Sequence, residues 1–145
     1  MGKTMKTKPV TAKDNKVAIE QEFWLPVQWP MATDRLILQV FDHDSIGSNE
    51  IVGSMFFSVK KLIEHGKQPG GMFFWQNIYG SPVDYKDETA VMMNNNPELG
   101  STWKGKILMH IYSEDSKHPE RRDDGQILDP SIKETANNKK LYDKK

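Results

Sequence analysis

The sequence predicts an all-β fold, an antiparallel sandwich or barrel, followed by a charged segment set apart from it. Two observations carry this. Between Phe23 and Tyr112 the apolar residues recur mostly with period two. The runs are short, and clusters of Gly, Pro, Asn and Asp separate them as turns. From Ser113 onward nearly half the residues are charged, with only scattered apolar side chains. Such a segment buries too little surface to offset its ordering entropy, so residues 115–145 read as a linker or disordered tail, with a helical turn near Ile132–Ala136.

The elements follow in chain order. Phe23, Leu25 and Val27 alternate with Trp24 and Pro26, giving a strand that stops at Trp29-Pro30. Leu36, Leu38 and Val40 form one face of the next strand, with Ile37 and Phe41 on the other. A third strand spans Val52 to Val59, and its Gly53 suits a bulge or a close backbone approach. Lys60 to His65 gives one or two helical turns, being too short for a free-standing helix. Gly66, Pro69, Gly70 and Gly71 break the chain, and Met72–Trp75 and Lys106–Tyr112 supply two further strands. Residues 77–103 show no clear periodicity and read as a long loop of the functional or disordered kind.

Composition bounds the function. A chain of 145 residues is one domain with a tail, large enough to bury a core. Lys plus Arg equals Asp plus Glu at 20 each, so no overall field selects nucleic acid. The absence of cysteine excludes a disulfide scaffold, thiolate metal sites and a Cys nucleophile, and it fits a reducing compartment. No apolar run approaches the roughly 20 residues of a membrane-spanning helix, and the first residues do not have the pattern of a signal peptide. Residues 1–16 carry Lys3, Lys6, Lys8, Lys13 and Lys16 against Asp14 alone. This reads either as a basic strand facing anionic headgroups, at about 1 kcal/mol per near-surface cation, or as a solvated terminus.

The stretch Asp42-His43-Asp44-Ser45-Ile46-Gly47-Ser48-Asn49-Glu50 carries the chemistry. Three carboxylates at a strand end, around an apolar tip and a glycine, suit a hard cation such as Ca²⁺, which takes roughly six to eight oxygen ligands. The same residue types also make an ordinary polar turn. An EF-hand is excluded: Ile46 occupies the third ligand position, Gly53 stands where the bidentate Glu must be, and the flanks are strand-like. Catalysis is not expected. His43, His65, His110 and His118 lack helical metal spacing, and neither a Gly-x-Ser-x-Gly elbow nor a phosphate-binding glycine loop occurs.

These residues resemble a C2 domain. The order Leu36-x-Leu38-x-Val40-x-Asp42-x-Asp44-x-x-Gly47-x-x-Glu50-Ile51-Val52-Gly53, then Phe57-x-Val59 and Leu62, is similar to the strand and calcium loop at the centre of that family. Phe23-Trp24-Leu25-Pro26-Val27-Gln28-Trp29-Pro30 and Trp75-Gln76-Asn77-Ile78-Tyr79-Gly80-Ser81-Pro82 resemble segments of a ferlin C2 domain. So do Met93-Asn94 and Gly105-Lys106-Ile107-Leu108. The likeness runs from about Lys6 to Glu114 and implies a C2-like domain over 1–114 with the tail at 115–145.

The resemblance implies a C2-like β-sandwich that is incomplete, entered at the strand over Lys3–Val10 without its first two strands or the carboxylates of its first loop. It implies Asp42, Asp44 and Glu50 as metal ligands for a weak or partial calcium site, with Glu50 where Asp is usual. Ser45, Ile46 and Gly47, with Lys6 and Lys8, are the implied contacts to an anionic phospholipid membrane. The implied role is calcium-assisted membrane targeting in vesicle fusion or trafficking, at the cytoplasmic side of membranes, in a parent protein that is membrane-anchored. The alternative is a calcium-independent module that binds a protein partner or sibling C2 domains. In it, residues 77–103 with Trp75, Tyr79 and Tyr85 form a docking surface, although such aromatics, with Trp24 and Trp103, also suit an at least half-buried core.

Overall fold

A computed structural model describes residues 4–84 and 86–115. They fall into two compact units, one holding residues 4–28 and the other residues 29–115. The expected tail, apart from Asp115 at its start, and its helical turn lie outside the described residues.

Residues 4–28 contain no regular strand, in contrast to the expected strands at Lys3–Val10 and Phe23–Val27. Pro9 and Pro26 have no N–H to give a ladder, which disfavours both. A tight reversal organises the unit instead. Lys13 and Lys16 exchange two backbone hydrogen bonds of 2.9 Å around Asp14 and Asn15. Both central residues are left-handed, at φ 52° and 58°, as a type I′ turn requires. Lys8 N–H donates to Gln21 Oε1 at 2.8 Å, and Gln21 Nε2 donates back to the Lys8 carbonyl at 3.2 Å.

The second unit is all-β in character: one antiparallel sheet of four strands with two short helices. Strand β1 (Arg35–Asp42) pairs with β2 (Glu50–Ser58), and β3 (Met72–Gly80) pairs with β4 (Thr102–Ile111). Helix α1 (Val59–Gly66) follows β2 directly, and α2 (Glu88–Asn95) lies between β3 and β4. Strand order equals chain order, a simple meander. The expected antiparallel, incomplete sandwich is thus realised as a single four-stranded layer.

The two hairpins meet along a short seam where Ser54 of β2 faces Tyr79 of β3. The seam is close because glycines line it. A Cβ on Gly53 would sit 2.6 Å from the Tyr79 carbonyl oxygen, and one on Gly80 would strike the Val52 carbonyl. Each outer pairing carries a bulge beside this seam, between Val40 and Phe41 opposite Val52, and between Ile78 and Tyr79 opposite Lys104. The expectation of a close approach at Gly53 is met.

Register places residues of like parity on one face. Leu36, Leu38, Val40, Met55, Phe57, Phe74 and Ile78 share a face, on which Phe57 and Phe74 meet edge-on with ring centroids 6.2 Å apart. Met55 and Ile78 are buried there. On the other face, Ser54 is only 2% exposed and is covered by α2. Its hydroxyl donates to the Asn94 carbonyl at 2.6 Å, and Gln39 Nε2 reaches Ser54 Oγ at 3.4 Å and Asn95 Oδ1 at 3.3 Å. Asn94 Oδ1 accepts from the backbone N–H of buried Ser81 at 2.7 Å. A polar layer, with Ala90 as the one buried apolar residue of the helix, therefore docks α2. Asp87 caps its start by accepting from Thr89 and Ala90 N–H at 3.0 and 3.2 Å.

Candidate functional site

The acidic loop is built by the β1–β2 hairpin. Its ladder runs out at Asp42 opposite Glu50, so two carboxylates face each other across the last register position. Like charges directly opposite in an antiparallel pair repel. Residues 43–49 then arch beyond the sheet. His43 Nδ1 lies 2.8 Å from Asn49 Oδ1, a contact that ties the base of the loop. Gly47 turns the backbone at φ 136°, a value that side chains disfavour. Ser45, Ile46 and Gly47 are all exposed, and Ile46 stands 94% exposed at the tip.

Each expected metal ligand, Asp42, Asp44 and Glu50, is exposed. Among the described residues no three His, Asp or Glu side chains gather closely enough to hold an ion, so these three do not form such a group here. The donor chemistry fits a hard cation: carboxylates, with loop carbonyls beside them. The hairpin register brings Asp42 and Glu50 together, and the loop carries Asp44.

Lys6 and Lys8 are exposed on the extended run of residues 4–28 and belong to that unit, not to the sheet. Tyr85 lies outside the described residues. The remaining aromatics of the expected docking surface do share a face. Trp75, Asn77 and Tyr79 on β3 face Leu108, Lys106 and Trp103 on β4 in register. Trp103 Nε1 donates to Asn77 Oδ1 at 3.1 Å, and Lys106 Nζ lies 4.5 Å from the centre of the Trp75 ring. Trp103 is 57% exposed, more open than the half-buried position expected of it. Its indole is tied to Asn77 by that hydrogen bond and stays at the surface. Sequence reading missed this pairing because Asn77 and Trp103 are 26 residues apart, in a stretch without evident period.

No family model, no curated protein and no solved structure matches this chain.

Proposed function

We propose that this chain is a non-catalytic membrane-surface module whose contact element is the 43–49 loop. The observation that carries the reading is the pairing of a 94% exposed Ile46 with the Asp42–Glu50 carboxylate pair at the base of the same loop. A divalent cation at that base would remove the Asp42–Glu50 repulsion and bridge to lipid phosphate, with Asp44 and loop carbonyls as further donors. Ile46 would then enter the headgroup region, a contribution of about 1.5–3 kcal/mol. That is too little alone, so Lys6, Lys8 or a neighbouring module must add to it. The motif order from Leu36 to Gly53 and its resemblance to a ferlin C2 domain support calcium as the ion and anionic phospholipid as the surface.

Sedimentation with phosphatidylserine vesicles tests it. The expected result is more bound protein with Ca²⁺ than with EDTA, and a loss of that difference in Ile46→Ser and in Asp42→Asn. Equal binding with and without Ca²⁺ overturns the mechanism.

A second reading has its own observation. The exposed Trp75, Tyr79 and Trp103 on one face of β3 and β4 favour a calcium-independent protein-interaction module, since such aromatics are enriched in interfaces.

A further inference from the structure

The two outer strands of the sheet differ in how they are protected. An unpaired strand edge is a template for another chain, and proteins blunt it with lysines, bulges and inward charges. Strand β4 has these devices: Lys104, Gly105 and Lys106 in succession, with the β3–β4 bulge at Lys104. Strand β1 has no lysine or proline between its ends, and the extra residue of the bulge in its pairing, Val52, lies on β2 and not on β1 itself. Arg35 and Asp42 are its only charges, it contains no proline, and Leu36 to Val40 is apolar except for Gln39. Its side away from β2 pairs with no strand among the described residues.

The β1 sequence is also compatible with itself. Two copies related by a two-fold axis through Leu38, perpendicular to the sheet, pair antiparallel with Leu38 opposite Leu38. Leu36 then faces Val40 on the same side, and Val40 faces Leu36, giving an unbroken apolar ladder on the half-buried face. On the other face Ile37 meets Gln39 and Arg35 meets Phe41, which adds a second ring beside a guanidinium that already lies 4.7 Å over Phe56 of its own chain. Ile37 and Phe41 are 53% and 44% exposed, so both are free to take part. An isologous contact of this kind closes on itself.

We propose that β1 is a pairing edge and that its occupant is β1 of a second copy, forming an eight-stranded sheet across a two-fold axis at Leu38. This stands whether or not the loop binds calcium, because the edge runs along the strand and not through the loop.

The absence of native cysteine makes the test clean. Single variants Leu36→Cys, Leu38→Cys and Val40→Cys of the full chain are oxidised mildly and run without reductant. At position 38 the two Cα atoms fall about 4.5 or 5.5 Å apart, within disulfide reach. At position 36 or 40 the like residues are offset by about 14 Å along the strand, beyond it. A covalent dimer from Leu38→Cys alone is expected. No cross-link, or equal cross-linking at all three positions, overturns the proposal. Sedimentation velocity across a concentration series supplies the second arm. Phe41→Lys places a cation opposite Arg35 twice per dimer and should weaken self-association about tenfold, whereas Phe41→Glu should preserve it. A wild-type chain that stays monomeric throughout, or equal weakening by both substitutions, also overturns it. A monomer would assign the edge to a strand of other origin.

Discussion

Asp34 precedes β1, yet it holds the start of α1. Its Oδ1 accepts from the Lys60 N–H and its Oδ2 from the Ser58 hydroxyl, each at 2.7 Å. Ser58 Oγ in turn accepts from Lys61 N–H at 3.2 Å as the N-cap. The backbone bond from Lys60, then the Ser58 hydroxyl, holds the Asp34 carboxyl below its usual value of 3.8. A carboxylate whose folded pKa is depressed contributes stability that is present above its unfolded pKa. That contribution disappears as pH falls through the lower folded value. Thermal midpoints measured downward from pH 5 should therefore drop more steeply in the wild-type chain than in Asp34→Asn, which keeps an acceptor for Lys60 but has no charge to lose. Parallel curves for the two proteins would show that Asp34 is not the group responsible.

Among the elements, α2 is linked to the chain beneath it through Asn94, whose carbonyl accepts from Ser54 and whose side chain accepts from Ser81. Removing the Asn94 amide in Asn94→Ala leaves the N–H of buried Ser81 without its acceptor, a cost of about 1–3 kcal/mol. Asn94→Asp retains an acceptor oxygen and should recover part of that loss, as urea denaturation midpoints would record. The same feature explains why α2 was not legible in the sequence. Its hydrogen bonds to the sheet run through Ser54, Asn94 and Asn95 and Ala90 is its single buried apolar residue, so no apolar period marks residues 88–95, although Asp87 before Glu88-Thr89-Ala90 was an available capping signal. Strand β1 was legible because its side chains alternate between two differently buried faces, and β2 because Ile51 to Ser58 is an unbroken, mostly apolar run that is at least half-buried throughout. Strand β3 read only as far as Trp75, since Gln76 and Asn77 interrupt the apolar run. Asn77 is accommodated in the strand with its side-chain oxygen accepting from the Trp103 indole of neighbouring β4. At the seam, Gly53→Ala would drive a methyl to 2.6 Å from the Tyr79 carbonyl oxygen and force β2 and β3 apart. Overpacking of that kind costs about 1–3 kcal/mol, and circular dichroism on heating should show a lower midpoint than wild type. An unchanged midpoint would mean that the seam yields freely.

For the molecule as a whole, the sheet is thin. Met55, Ile78 and Ala90 are the buried apolar residues among those described, and none of the described large side chains is wholly enclosed. A single layer with so little interior is marginal by itself, so anything that binds only the folded state would add a large share to its stability. This is where the acidic loop and the fold meet. The sequence showed the loop's residue types and its place after β1. It did not show that Asp42 and Glu50 would face each other at the last register position, because a bulge at Val52 sets that register. Under the calcium reading, their repulsion is a cost of folding that the ion removes. A ligand that binds only the folded chain adds stability as the logarithm of its concentration over Kd, about 2.7 kcal/mol at a hundredfold excess. For a domain of this size each kcal/mol is worth roughly 4–8 °C near the midpoint. Even a weak site of ~10⁻⁴ M should therefore raise the melting midpoint by roughly 10–20 °C when Ca²⁺ is brought to a hundredfold excess over Kd. Asp42→Asn relieves the same repulsion without the ion, so it should melt higher than wild type in EDTA and respond less to Ca²⁺. Scanning calorimetry of both proteins in EDTA and in Ca²⁺ reads all four midpoints. If the wild-type midpoint does not rise with Ca²⁺, the calcium mechanism fails, and the exposed Trp75–Trp103 face becomes the better account of what this sheet is for.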